Sequence, residues 1–139
     1  MKYLIDSSVY ISLFVENDAL HNQTTDIAPI IEKEMVVVPT IVIAEIITVL
    51  SRNKPNQVRT AVHHLLQEEV ISLDQDFLSK FSKYVTRSSH LKTSDLLIAA
   101  TAFVHKATLV TWDKQLLTYA GSICTVVSPS TLLKMSGPK

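Results

Sequence analysis

Residues 35–52 read MVVVPTIVIAEIITVLSR. The run as far as Pro39 is apolar and short, as a strand buried on both faces would be, whereas residues 40–52 are long enough for a helix. Their many β-branched residues lower helix propensity by only about half a kcal/mol each, which burial readily overrides. An extended reading stays open for residues 41–43. A buried strand running straight into an apolar helix is the unit from which helix-covered parallel sheets are built.

The same unit recurs on either side. KYLID at 2–6 reads as a short buried strand ending in a polar cluster, and SSVYISLFVEN at 7–17 sets Val9, Leu13 and Phe14 at helical spacing. Downstream, PNQVRTAVHHLLQ at 55–67 opens with a proline suited to a first helical turn and aligns Val58, Val62, Leu65 and Leu66. VISL at 70–73 predicts a strand, and residues 75–90 a helix with Phe77, Phe81, Tyr84 and Val85 as its stripe. A helix over 95–105, with Ser94 as N-cap, is followed by the strand ATLVT at 107–111 and a helix in WDKQLLTYAG ended by Gly121. ICTVVS at 123–128 predicts the last strand, and Ser128 with Pro129 starts a closing helix. The pattern predicts one α/β domain over residues 1–135, with SGPK at 136–139 as a short tail.

Composition narrows the chemistry. The 139 residues are 47% hydrophobic and 19% charged, enough for one real core. The single cysteine, Cys124, excludes an internal disulfide framework, and the carboxylate at position 6 interrupts any secretory apolar stretch, so a reducing, cytoplasmic setting is expected. The longest apolar run, residues 35–50, falls short of the ~20 residues of a membrane span and is broken by Pro39 and Glu45. With glycine only at 121 and 137, neither a P-loop nor a dinucleotide-binding glycine fingerprint can exist. His21, His63, His64, His90 and His105 lack ligand spacing, and no nucleophile elbow is present.

Four acids stand in apolar surroundings: Asp6 after a strand, Glu45 within IVIAEIITVL, Asp95 at the head of DLLIAATAFV, and Asp113 after TLVT. A buried carboxylate normally takes up a proton or finds a partner. Taken singly, Asp95 and Asp113 are helix-start charges, Asp6 is a turn residue, and Glu45 is a partly exposed residue or half of an ion pair with Arg52. Taken together they lie where the carboxyl ends of parallel strands gather ligands. Four acids in one crevice need a cation, and an all-oxygen donor set suits one or two Mg²⁺ or Mn²⁺ ions. Such ions lower the pKa of a bound water and neutralise charge on a phosphodiester, so hydrolysis of that bond is the natural reaction. With these four set aside, nine acids face 13 bases, leaving a positive surplus elsewhere.

LIDSSVYISLF, PTIVIAEIITVL, TSDLLIAATAF and ATLVTWDKQL occur in the order and spacing of PIN-domain ribonucleases, and the chain most resembles their compact VapC-type toxins. The resemblance implies a three-layer PIN-like fold with a central, mostly parallel twisted sheet of four to five strands. It implies a metal-dependent endoribonuclease restrained by a small antitoxin and assembled as a homodimer. Asp6, Glu45, Asp95 and Asp113 match the family's acidic quartet, with Asp6 and Asp95 as principal metal ligands, Asp113 binding directly or through water, and Glu45 orienting or deprotonating the attacking water. Ser7 and Thr111 match the polar positions beside the first and last acids, where a hydroxyl either holds a carboxylate or phosphate or caps the backbone. Two departures stand out: Trp112 replaces a small or amide residue before the last aspartate, and Lys106 and Ala107 stand where a glycine is frequent. Trp112 reads as packing rather than as a stacking surface for a base.

Between Asp76 and Asp95 there is no acid but Lys80, Lys83, Arg87 and Lys92, which, with Arg52, form the candidate RNA-binding set. A solvated helix face explains the same run equally well. The competing readings are a PIN-like RNA- or protein-binding module without turnover, a stand-alone PIN nuclease of RNA processing, and a different acidic-pocket phosphohydrolase. Ser8 argues against the last, since a haloacid dehalogenase would carry an acid there.

Overall fold

The computed structural model describes residues 1–16, 18–88 and 90–136; of the expected tail, residues 137–139 lie outside them. In chain order the elements are β1 (Lys2–Ile5), α1 (Ser7–Phe14), α2 (His21–Thr25), α3 (Ala28–Ile31), β2 (Met35–Pro39), α4 (Thr40–Asn53), α5 (Val58–Leu65), β3 (Glu69–Ile71), α6 (Gln75–Lys80), α7 (Ser82–Val85), α8 (Thr93–Val104), β4 (Thr108–Val110), α9 (Lys114–Tyr119), β5 (Val126–Val127) and α10 (Pro129–Met135). The five strands form one sheet in the order β3-β2-β1-β4-β5, and every pairing is parallel. The expected helix-flanked α/β sheet is therefore present, with the larger of the two strand counts.

Burial explains the unbroken apolar strands. Leu4, Ile5, Val37, Val38, Leu109 and Val110 are all within the core, so both faces of the central strands are covered. On α4, Val42, Ile43, Ile46 and Leu50 are buried at helical spacing, which settles residues 41–43 as helix and leaves Glu45 half-buried beside that stripe. On α5, Ala61 and Leu65 are buried, Val58 and Val62 are half-buried, and Leu66 just past its end is exposed.

The chain order fixes where a site can form. From β1 the sheet grows one way through β2 and β3 and the other way through β4 and β5, so the order reverses between β1 and β4. The carboxyl ends of two strands at such a reversal flank an open crevice. Asp6 directly follows one strand, and Thr111 directly follows the other.

Several local expectations are corrected. The helix expected over 75–90 is two short ones, because the Phe81 N–H bonds the Leu78 carbonyl at 3.2 Å in a tight turn that resets the phase. Phe77 still stacks on both Phe81 and Tyr84, at 6.1 and 6.5 Å, while Val85 is left exposed. Pro55 opens a 3₁₀ turn ahead of α5 rather than α5 itself. Cys124 lies just ahead of β5, buried, with its thiol pushed up to about 12 by burial. The one-turn helices α2 and α3 carried no expectation, since a single turn is too short to display periodicity.

Lys106 explains one departure from the family pattern. It has φ of 55°, the left-handed conformation that favours glycine. Its N–H bonds the Phe103 carbonyl at 3.1 Å and the Ala107 N–H bonds the Ala102 carbonyl at 2.8 Å, the paired bonds that close a helix in a Schellman turn. A glycine would sit there without strain.

Candidate active site

Asp6 occupies the N-cap position of α1, yet its carboxylate makes no cap. Its backbone holds the strand end: the N–H bonds the Val110 carbonyl at 3.0 Å, and its own carbonyl accepts from Val9 and Tyr10 to start the helix. The side chain turns instead toward β4. There Oδ2 accepts from Ser8 Oγ at 2.9 Å and from Thr111 Oγ1 at 2.8 Å. Thr111, fully buried, also accepts the Asp113 N–H at 2.9 Å, and Ser8 accepts the Trp112 N–H at 3.1 Å.

Asp113 behaves oppositely. Its Oδ1 caps α9, accepting the N–H groups of Gln115 at 2.8 Å and Leu116 at 3.1 Å. Asp95, 6% exposed, sits in the first turn of α8, whose N-cap is Lys92 rather than the expected Ser94. Glu45 accepts a long bond of 3.4 Å from Ser7 Oγ.

The four acids feel one another's charge. Burial, then the Asp113 carboxylate, then that of Asp6 push the Asp95 carboxyl up to about 6, against the pull of the Lys92 ammonium. The Glu45 carboxyl is raised by burial, then by Asp6 and by Asp95, with the Ser7 hydroxyl and Lys92 opposing. Mutual repulsion of this kind belongs to carboxylates that face one crevice. Among the described residues, however, no three His, Cys, Asp or Glu side chains converge into a ready-made cation cage.

The donor set still suits a hard divalent ion. All of its atoms are carboxylate or hydroxyl oxygens, and no hydrogen bond among the described residues occupies Oδ1 of Asp6 or Oδ2 of Asp113. A cation would relieve the repulsion that, after burial, raises Asp95 and Glu45.

The remaining predicted residues divide. Of the five candidate RNA contacts, Lys92 acts on the acids. Lys80 is paired with Asp76 at 3.4 Å, and the Arg87 guanidinium lies 5.5 Å from the Tyr84 ring and 5.1 Å from the Phe103 ring. Lys83 and Arg52 are exposed, and no Glu45–Arg52 ion pair forms among the described residues. Trp112 is packed against the core, with its indole N–H donating to Thr24 Oγ1 at 2.9 Å. Sequence reasoning missed Ser8 as part of the site; a hydroxyl two residues past a strand-end acid was the signal at hand. Of the histidines, His21 Nδ1 lies 2.8 Å from the Ser12 carbonyl, His64 meets the Phe14 ring edge-on at 6.4 Å, His90 stacks on Tyr119 at 4.4 Å, and His63 is exposed.

No curated protein sequence matches the chain. Solved structures do: a toxin-antitoxin complex from Klebsiella pneumoniae is 22% identical, with a TM-score of 0.70 over 91% of this chain and 97% of that one. FitAcB from Neisseria gonorrhoeae is 18% identical, with a TM-score of 0.72 over 94% and 99%. VapC20 from Mycobacterium tuberculosis, a sarcin-ricin loop cleaving toxin, is 18% identical, with a TM-score of 0.73 over 86% and 95%. At such identities the likeness establishes the fold. The family model of the PIN domain matches residues 3–122, and so the chain belongs to the PIN domain family, with the fold of its VapC-type members.

Proposed function

We propose that the protein is a metal-dependent endoribonuclease that hydrolyses RNA phosphodiester bonds, and that it is the toxin of a toxin-antitoxin pair acting in the cytoplasm. The observation that carries this reading is the placing of Asp6 and Asp113 beside the strand-order reversal, where burial, Asp113 and Asp6 raise the Asp95 carboxyl and burial, Asp6 and Asp95 raise that of Glu45, in a chain of the PIN domain family. Asp6 through Oδ1, Asp95, and Asp113 through Oδ2 would hold Mg²⁺ or Mn²⁺, with Glu45 beside them. When bound, one or two such ions supply charge neutralisation at the phosphate and a more acidic water.

The chain's own groups do the rest. Glu45, less committed to its ionised form than an ordinary carboxylate, is suited to orient the attacking water and accept its proton. Thr111 and Ser8 hold Asp6 in place, and Ser7 holds Glu45. Lys92, exposed at the head of α8, offers a cation to the approaching phosphate backbone. A small antitoxin is the proposed protein partner, by likeness to the Klebsiella pneumoniae toxin-antitoxin complex; a homodimer remains an inference from the family resemblance.

Cleavage of single-stranded RNA, structured RNA and DNA with Mg²⁺, Mn²⁺ or chelator tests the reading. Wild type should cut RNA only with metal, and Asp6→Asn and Asp95→Asn should not cut. Metal-dependent cutting that survives in both purified variants would overturn it, and a protein that binds RNA or a partner but never cuts would be a binding module.

A further inference from the structure

We propose that Ser8 is a positioning residue for Asp6, fixing one oxygen of that carboxylate so that only the other faces the crevice. This rests on the metal-nuclease reading above. Ser8 stands at the second position of α1, half-buried, and its hydroxyl leaves the helix to join two strand ends. It accepts the Trp112 N–H at 3.1 Å and lies 3.3 Å from Thr111 Oγ1. With lone pairs turned to that N–H, its single proton is directed to Asp6 Oδ2 at 2.9 Å.

Thr111 repeats the arrangement one residue earlier in its own loop. It accepts the Asp113 N–H at 2.9 Å and sends its proton to the same Oδ2 at 2.8 Å. Two backbone-anchored hydroxyls therefore converge on one oxygen. A carboxylate held by one donor can turn about its Cβ–Cγ bond, whereas two donors from different directions define its plane. Ser7 does not share this task, since its hydroxyl points to Glu45. Adjacent serines thus serve different acids, and Ser8 leaves Asp6 Oδ1 as the single oxygen presented outward.

The test measures Mn²⁺ affinity of the full-length, metal-free protein by the electron paramagnetic resonance of the free ion, beside cleavage of a fluorescent single-stranded RNA. Ser8→Ala should weaken Mn²⁺ binding about tenfold or more and lower kcat with little change in KM, and Ser8→Thr, which keeps the hydroxyl, should recover most of both. Ser12→Ala is the control. Its buried hydroxyl on the same helix bonds the Val9 carbonyl at 2.8 Å and lies 2.6 Å from Thr24 Oγ1, away from the acids, so it should cost thermal stability without moving Mn²⁺ affinity. Mn²⁺ affinity unchanged in Ser8→Ala, or lost equally in Ser12→Ala, would overturn the assignment. A wild type that binds no Mn²⁺ would instead bring down the metal reading, and this inference with it.

Discussion

Thr111 donates a hydrogen bond to Asp6 at 2.8 Å across 105 positions of the chain. Because each residue directly follows a strand, the bond ties the carboxyl ends of β1 and β4 together at the reversal of strand order. It also gives a buried carboxylate a donor where burial would otherwise penalise its charge.

Thr111→Val removes that donor while keeping the shape, and leaves the Asp113 N–H without its acceptor. A loss of about 1–3 kcal/mol in urea unfolding is expected. RNA cleavage should fall by about 10–100-fold, more than lost folding explains at temperatures where the variant is fully folded. Full activity in a folded Thr111→Val protein would deny the bond a role in the site.

The raised carboxyl of Asp95 predicts a pH dependence of stability. Its ordinary value is 3.8 and its folded value about 6, so the folded state holds the proton more tightly. The associated stability is fully present below about pH 4 and is lost as pH rises through about 6. Metal-free protein should therefore unfold at higher urea at pH 5 than at pH 7.5 from this group, by on the order of 1 kcal/mol after solvent screening. Asp95→Asn should flatten that dependence while abolishing cleavage, and urea midpoints at the two pH values decide the matter.

The same protonation competes with a cation. Uptake of Mg²⁺ or Mn²⁺ near pH 6 should release protons from Asp95, and affinity should weaken as pH falls. Calorimetry in buffers of different ionisation enthalpy measures the released protons. Identical heats in all buffers would separate this acid from the ion.

Lys106→Gly should stabilise the fold by about 1 kcal/mol, since glycine adopts the φ of 55° without the steric cost of a Cβ. Cleavage should not change, because the turn closes α8 at the end opposite Asp95. A lower melting temperature would contradict the Schellman assignment.

Trp112→Phe deletes the indole N–H bond to Thr24 but keeps an aromatic face. About 1 kcal/mol of stability should be lost with RNA affinity unchanged, which fluorescence anisotropy of labelled single-stranded RNA can check. A selective loss of RNA binding in Trp112→Ala but not in Trp112→Phe would point to base stacking instead.

The sequence by itself determined the parallel α/β architecture and singled out four acids in apolar surroundings. Strands buried on both faces must be continuously apolar, as MVVVP and TLV are, so a carboxylate at their ends is conspicuous in one dimension. Length also placed Glu45 on a helix, and the buried stripe at 42, 43, 46 and 50, which repeats every 3.6 residues, closed the extended alternative at 41–43 only in the structure. What only tertiary structure decided is which groups meet. The bonds of Ser7 to Glu45, of Thr111 to Asp6 and of the Trp112 N–H to Ser8, and the seating of Arg87 on Phe103, all depend on contacts between distant segments. Local spacing carries no information about such contacts, since strand order and helix packing choose the neighbour, and a hydroxyl commits its one proton only when that neighbour arrives.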